Sequence, residues 1–547
     1  MGAVLISLLA TALLLAAPES NAATPAAPSV TAGANIKQLI FDWDDTPGAT
    51  YYRLLYKVGS GVWKPLIDNL PASTTQAEVS IAVHLQSWSL LRYAVAACNP
   101  DGCTNSAAVF PQNLMLDTIG YFKASNADPG DRFGHTVMLS ADGRTLVVSA
   151  PQEDSNATGV NGNQADNSVS CAGAVYVFRR HTGGWQQEAY LKPAVVQPGL
   201  RFGSDLANHR RSLSISADGS MLAIGAAEEN WGGMDKVGVV YVFQRSSSGN
   251  WRLATRLRAP TPTENDHFGF SVDLSLDGLT LKADGYGPWD PVTGKPEFRS
   301  QIFLLKGTSW LPSATLAGGH GNKPCENTRL SGDGKLLAMI CRTYILTYSR
   351  SVDSWFSGRD LGPVTFSSEG SIVGSAIDFD GSHHAMQDTR TQLAPSVVIH
   401  HGLFADVGVL SPAPEDELLS GARSFGYAIA LDRVANLLAT SDTSAAEAGA
   451  GVSPRPMPGA ERRGAVYIWT RREIPNSPVP GATALYLRSV VKSPNPDDED
   501  AFARSLALCG SGQALAVGSE SEDSKARGID GDRTDNSSPD SGAVYLY

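Results

Sequence analysis

The sequence predicts an all-β protein, and three observations carry that prediction. A six-residue run, GAVYVF at 173–178, returns as GVVYVF at 238–243, GAVYIW at 464–469 and GAVYLY at 542–547. Short Val, Tyr and Leu runs are broken by Asp-Gly and Pro along most of the chain, the composition of strands and tight turns. Glycine supplies 54 of the 547 residues and helix-length amphipathic stretches are few, so helix is expected to be scarce.

Length and charge bound the rest. A chain of 547 residues exceeds one ordinary core and implies several domains or a repeat architecture. A formal charge of -12, a pI near 5.3 and the lack of any dense Lys/Arg run argue against a nucleic-acid partner, which needs a basic surface to displace counterions from phosphate.

From the N-terminus, residues 1–22 read as a signal peptide. An apolar run from Ala3 to Ala17 is followed by Pro18 and then Ser20-Asn21-Ala22, a small-x-small pattern that places cleavage after Ala22. The run lacks a basic segment before it and is shorter than the roughly 20 residues of a spanning helix. An uncleaved anchor is the alternative. No cysteine lies near the site to make a lipoprotein, and the mature chain has no second apolar stretch of spanning length. The expected location is secreted, periplasmic or cell-surface.

Residues 28–117 carry no GAVYVF-like run. "LIFDWDDTPGATYYRLLYK" reads as a strand with Trp43, a Pro-Gly turn and a second alternating strand, and "LLRYAVAACN" as a late strand whose Tyr93 stands where a tyrosine corner would. This segment resembles a fibronectin type III sandwich, a family whose implied role is as a spacer or binding module outside the cell. Cys98 and Cys103 bracket a Pro-Asp-Gly turn that would bring them within bridging distance, so a disulfide is expected there. Cys325 and Cys341 flank an "SGDG" turn and could pair across a hairpin. Cys171 and Cys509 sit in different repeats and read as lone thiols. Cysteine and histidine spacing gives no zinc pattern.

Residues 119–547 are periodic. In the first copy a strand follows Phe133-Gly134, turns at Asp142-Gly143, returns through "TLVVSAP", crosses a long polar loop to GAVYVF and ends in "WQQEAYLKP". The turn recurs at Asp218-Gly219, Asp277-Gly278, Asp333-Gly334 and Asp380-Gly381, then weakens to Asp432-Arg433 and Gly510-Ser511-Gly512, which makes seven copies of four strands. Phe-Gly recurs at 133, 202, 268 and 425, becomes Phe502-Ala503 in the last copy, and is lost around Asn327 and Gly374. Sheets that cannot bury both faces alone must stack around an axis, so a seven-bladed β-propeller is expected. The seventh copy has only three strands before the chain stops at Tyr547. "YFKAS" at 121–125 matches "AYLKP" at 189–193 and "LYLRS" at 485–489, so the N-terminal segment should supply the missing outer strand.

By these residues, above all "FGHTVMLSADGRTLVVSAPQEDSNATG...GAVYVF", the chain resembles the FG-GAP repeat proteins, whose propeller is shared with the integrin α head, and among them the bacterial secreted branch. The resemblance covers 119–547 and implies extracellular binding or adhesion, with a protein or polysaccharide as partner. The chain departs from the family in one respect. The integrin-like pattern places a D-x-D-x-D-G-type calcium loop between the first two strands of certain blades, whereas here that connection shrinks to "SADG", "SLDG" and "SGDG". A lone Asp cannot supply the six to eight oxygens calcium takes, so these pairs read as hairpin turns.

Calcium has another candidate place, the acidic loop between second and third strands. Glu522, Asp523, Asp530, Asp532 and Asp535 could converge on the cation in the last copy, with Glu153, Asp154, Asn161, Asn163 and Asp166 as a weaker set in the first. The alternative is a solvated loop turned by glycine. His383-His384 and His400-His401 are adjacent strand pairs whose side chains point to opposite faces, so neither chelates. No Walker, G-x-S-x-G or H-E-x-x-H motif occurs. Trp185, Trp251, Trp310 and Trp355 fall once per repeat and read as packing, while Trp231 and Trp289 lie off that register in second-to-third-strand loops and are the candidate ligand-contacting residues.

Together these features predict an exported, non-catalytic binding or adhesion protein. The alternatives are a glycan-active enzyme, for which Asp205, Asp273 and Asp378 are the first-strand carboxylates that could line a central channel, and a structural part of an envelope assembly.

Overall fold

A computed structural model describes residues 23–204, 211–290, 294–317, 325–341, 344–352, 354–363, 375–378, 380–381, 383–388, 396–401, 404–410, 424–457, 459, 463–475 and 483–547. The chain forms two compact units. One takes in residues up to Gly33, Ile40–Val79 and Leu90–Pro111; the other takes in Ala34–Leu39, Ser80–Ser89 and Gln112–Tyr547.

Near the N-terminus, period-two alternation sorts the side chains. Strands Val30–Asn35, Gln38–Trp43 and Gln76–Ser80 make a three-stranded sheet, and Lys64–Pro71, Tyr51–Val58, Leu91–Asn99 and Gly102–Asn105 a four-stranded one. Leu39, Phe41 and Trp43 alternate inward, as do Ala77 and Val79. Phe41 packs on Tyr93 with ring centroids 4.9 Å apart, and Trp43 on Tyr52 at 5.5 Å. Cys98 faces Cys103 across the last hairpin and is bonded to it, as its spacing led us to expect.

The larger unit is a succession of antiparallel meander sheets, the architecture of a β-propeller. The first comprises Val137–Leu139, Thr145–Ala150, Ala174–His181 and Gly184–Leu191; the second, Leu213–Ile215, Met221–Ala226, Val239–Arg245 and Trp251–Leu257. The third comprises Ser271–Leu274, Thr280–Asp290, Lys295–Lys306 and Ser309–Ala317; the fourth, Cys325–Leu330, Leu336–Cys341, Tyr344–Ser351 and Ser354–Pro363. The fifth runs Ser375–Ile377, His383–Asp388, Ser396–His401 and Phe404–Leu410. The sixth has five strands rather than the expected four. Beyond Ile429–Leu431, Leu437–Asp442, Ala465–Glu473 and Thr483–Lys492, the segment Gly451–Ser453 pairs with the outer edge at Val490–Lys492. The extra strand comes from the long second-to-third-strand connection, which turns back on the free edge.

Phe502–Leu508, Leu515–Ser519 and Ala543–Leu546 form the seventh sheet, and its outer strand is Gly120–Phe122, with Tyr545 opposite Tyr121. The strand that the last copy lacks is therefore supplied from upstream, as the YFKAS match anticipates. Cys325 and Cys341 stand opposite each other in the fourth sheet and are bonded.

The third strand of the best-formed sheets is apolar throughout because both its faces are covered. Ala174–Phe178, Val239–Phe243, Ala465–Trp469 and Ala543–Leu546 are all buried. One core cluster joins Val544, Leu546 and Ala516 of the seventh sheet to Val137, Leu146, Val148 and Phe178 of the first, and another joins Val147 and Val177 of the first to Leu213, Ile224 and Tyr241 of the second. The core is thus a series of sheet-on-sheet layers and includes the layer that joins the chain's end to its start.

The repeated words in the sequence are the two halves of a contact between successive sheets. Phe202 N donates to Ala172 O at 3.0 Å, Phe268 N to Val237 O at 3.0 Å and Phe133 N to Ser541 O at 3.1 Å. The glycine that opens each GAVY run lies flat on the next Phe-Gly backbone, where an added Cβ would come within 2.3 Å of Phe202 N, 2.2 Å of Phe268 O, 2.3 Å of Phe502 O and 2.0 Å of Phe133 O for Gly173, Gly238, Gly464 and Gly542 respectively. Those four glycines also hold φ near +80° (81°, 79°, 77° and 79°), so two constraints select glycine at one place.

The Asp-Gly turns are hairpins, and the serine before them is part of the device. Ser140, Ser216, Ser275 and Ser331 each donate to the Asp two residues on, at 2.5, 2.6, 2.5 and 2.6 Å. The same hydroxyls accept from the backbone N–H of Thr145, Met221, Thr280 and Leu336 at 2.9–3.0 Å. In the seventh sheet Cys509 takes the serine's place and its Sγ accepts from Ala514 N at 3.2 Å.

Candidate functional site

The loops between second and third strands begin at a buried carboxylate. In the first sheet Glu153 pairs with Lys192 at 2.7 Å, both fully enclosed, and accepts from Tyr190 Oη at 2.7 Å and Asn126 Nδ2 at 3.0 Å. The seventh repeats the arrangement with strands from the two ends of the chain: Glu522 pairs with Lys123 at 2.7 Å and accepts from Tyr121 Oη at 2.7 Å. A buried ion pair persists only where its remaining lone pairs and protons are satisfied, and the tyrosines and Ser541 do that here.

The five acids considered for calcium are spread among separate jobs. Glu522 is in the buried pair. Asp523 accepts from Asp540 N at 2.8 Å, Asp530 from Tyr121 N at 3.2 Å and Asp532 from Thr534 N at 2.9 Å. Asp535 accepts from Ser537 Oγ at 2.6 Å and from Ser537 N at 2.9 Å and pairs with Lys525 at 2.9 Å; the hydrogen bonds from the Ser537 hydroxyl and from Lys525 lower its pKa. Among the described residues no group of three or more His, Cys, Asp or Glu stands where it could hold a metal. The first loop folds the same way with asparagines: Asn161 accepts from Tyr190 N at 2.9 Å where Asp530 takes Tyr121 N, and Asn163 from Ala165 N at 3.1 Å. Ser155 and Ser524 each donate to the carbonyl eight residues on, at 2.7 Å. Where Asn serves as well as Asp, the oxygen rather than the charge is what the loop uses. That interchange was visible in the aligned loops as the signal for turn-building.

The carboxylates considered as lining for a channel are also engaged where they are described. Asp205 lies outside the described residues. Asp273 stands 3.4 Å from Lys282 and accepts from Leu330 N at 3.2 Å, while Lys282 also pairs with Asp284 at 2.9 Å. Asp378 is bonded to His383 Nδ1 at 2.6 Å. His384 has a side chain outside the described set.

One polar cluster escaped sequence reasoning. His135, just after the first Phe-Gly, bonds through Nδ1 to Glu520 at 2.6 Å, and Arg504 Nε donates to the other oxygen of Glu520 at 2.6 Å. Against burial, which pushes it up, these partners hold the Glu520 carboxyl down to about 2. Arg504 lies over the Tyr427 ring at 4.8 Å.

Of the two candidate ligand-contacting tryptophans, Trp289 lies in a strand rather than an irregular loop. It pairs with Pro296 where the second and third strands of the third sheet extend beyond their neighbours; its side chain is outside the described set. Trp231 is half-buried on a tight turn closed by reciprocal 3.0 Å backbone bonds with Met234. Arg258 lies over its ring at 3.9 Å and Arg256 at 5.0 Å. Arg256 also reaches buried Glu229, which accepts from Tyr241 Oη at 2.7 Å. Trp185 and Trp251 are buried in sheet packing, as their register implies.

No family model and no curated protein matches the chain. Among solved structures it is similar to U3-55K (11% identity over 78% of this chain and 98% of that one, TM-score 0.42). It is also similar to the periplasmic gluconolactonase PpgL of Pseudomonas aeruginosa (12%, 82% and 98%, TM-score 0.40). A third is the β-propeller domain of Cps50 (Swd1) from Myceliophteria thermophila (10%, 76% and 96%, TM-score 0.41). Likeness at this level does not bear on activity. Among the described residues no helix is long and apolar enough to cross a membrane.

Proposed function

We propose that this is an exported, non-catalytic binding protein in which a fibronectin type III-like module is followed in sequence by seven blades that form one closed FG-GAP-like ring, whose rim loops engage an extracellular polysaccharide or protein. The observation that carries the reading is the use of charge. The channel carboxylates Asp273 and Asp378 and the loop acid Glu522 are bound to cations or imidazole within the fold, whereas Trp231 and Arg258 stand together at the surface. Support for the module comes from the strand order, three strands against four with the first, second and fifth together. Support for export comes from the apolar start of the sequence and from two disulfides, bonds that persist in oxidising compartments.

The test is calorimetric and thermal-shift titration of residues 23–547 with calcium and with a panel of surface polysaccharides, each glycan being checked for cleavage products. Saturable binding without product supports the reading. Product release overturns it in favour of a glycan-active enzyme, and a single stoichiometric protein partner with no glycan bound favours an envelope assembly.

A further inference from the structure

The second sheet breaks the rule that the first and seventh obey. Pairing register aligns the three outer strands: Tyr176 faces Tyr190, Tyr545 faces Tyr121 and Tyr241 faces Arg256. Two residues further on stand Lys192, Lys123 and Arg258. The two lysines turn inward to Glu153 and Glu522. In the second sheet Arg256 occupies the tyrosine's place and reaches Glu229 itself, so the cation at the lysine's place is released from that duty.

Arg258 is accordingly exposed and has no hydrogen-bond or ion-pair partner among the described residues; its guanidinium lies 3.9 Å from the centre of the Trp231 ring. The indole orients it, through cation–π attraction, and leaves its in-plane N–H fork unused. The Trp231–Met234 turn fixes the backbone that carries the indole, and Arg256 lies between Trp231 and Tyr241, 5.0 and 5.2 Å from their centres. Glu229 is bonded to Arg256 and also feels the charge of Arg258, so two guanidiniums face one carboxylate and the cluster keeps one positive charge in excess, with Arg258 as its exposed member beside the indole. A planar, singly charged carboxylate is the acceptor that such a fork binds in bidentate fashion.

We propose that Arg258, backed by Trp231, is a recognition site for the carboxylate of a uronic acid in an acidic polysaccharide. This rests on the reading of the protein as a glycan-binding one and names the class of glycan. On a chain of formal charge -12, such a site works through local geometry rather than bulk attraction, and its affinity falls with added salt.

The experiment is isothermal titration at low salt with polygalacturonate, its methyl ester and dextran sulfate, using the wild type, Arg258→Gln, Trp231→Ala and, as a control on the same strand, Arg252→Gln. Wild type is expected to bind polygalacturonate and to lose about tenfold or more in affinity on esterification of the ligand or on Arg258→Gln, the size of one charge-assisted contact. Trp231→Ala weakens binding in the same direction, Arg252→Gln leaves it within about twofold, and Arg258→Gln keeps the wild-type melting temperature. Unchanged affinity in Arg258→Gln, equal binding of the ester, or a preference for dextran sulfate overturns the proposal. Binding of a neutral glycan from the wider polysaccharide panel, with no affinity for polygalacturonate, overturns it too but leaves the glycan-binding reading standing; if no glycan binds, both fail.

Discussion

Gly542, which opens the last recurrence of the repeated GAVY run, lies on the carbonyl of Phe133, where a Cβ would sit 2.0 Å from the oxygen. One residue comes from the end of the sequence and the other from the first repeat, so this contact joins the seventh sheet to the first. Gly542→Ala must shift a backbone and adopt φ near 79°, and we expect a loss of about 3 kcal/mol or more in urea unfolding. Gly173→Ala, in the same relation to Phe202, should cost a similar amount. Gly183→Ala, in an open hairpin turn with nothing within 4 Å of the added carbon, should change stability by less than about 0.5 kcal/mol.

The turn serines make a second measurable claim. Ser275 Oγ accepts from Thr280 N at 2.9 Å and donates to Asp277 at 2.5 Å, and Ser→Ala there strands a buried N–H, at a cost of about 1–2 kcal/mol. Cys509 is the natural substitution at the same place, and Cys509→Ser restores the residue that four other sheets use. We expect Cys509→Ser to keep stability within about 0.5 kcal/mol of wild type and Cys509→Ala to fall below it, both read by thermal unfolding.

The sequence made the fold legible because the contact between sheets is itself a repeated word. Phe-Gly and the Gly-x-Val-Tyr run are partners in the copies that keep both, and the recurring turn marks the copies that do not, so the meander sheets could be counted and the outer strand at residues 120–122 anticipated. The second-to-third-strand loops were harder to read. Asp530 and Asp532 looked like cation ligands because acid density is visible in sequence, while the backbone N–H groups they cap are not. The His135–Glu520 bond joins residues 385 positions apart and left no local pattern. Nor could sequence alone reveal that Arg256 takes the lysine's partner, since that depends on pairing register.

The thiols should separate by burial. Four cysteines are bonded, Cys171 is half-buried and Cys509 is buried. Native protein treated with a thiol reagent should therefore label Cys171 first, with Cys509 reacting only after denaturation; two fast-reacting thiols would contradict the packing of the seventh sheet. The Cys325–Cys341 bridge closes a loop with a separation of 16 residues, and replacing both cysteines by Ala should cost about 3 kcal/mol by the chain-entropy relation.

Asp500 gives the sharpest dependence on pH. Burial, and then the nearby Glu522, push its carboxyl up to about 8, and its Oδ2 has no hydrogen-bond partner. The folded state therefore holds a proton that the unfolded chain, with an aspartate near 3.8, releases. Its contribution is most favourable below 3.8 and is lost as pH rises through 8, up to about 1.4 kcal/mol for each unit. Asp131, pushed to about 7 chiefly by burial, acts in the same direction. Lys37 and His84 act in the opposite one, since burial lowers them to about 7 and about 3 and the folded state then resists their protonation. The profile of the wild type alone mixes these effects, so the informative quantity is the difference between wild type and Asp500→Asn at each pH. Between pH 5 and pH 8 the variant should gain at least about 1.4 kcal/mol relative to wild type in urea unfolding, because it cannot ionise in a site that disfavours charge. A constant difference across that range would mean that Asp500 is ionised in the folded protein at pH 5, and that the carboxylates around Glu522 are better compensated than their burial implies.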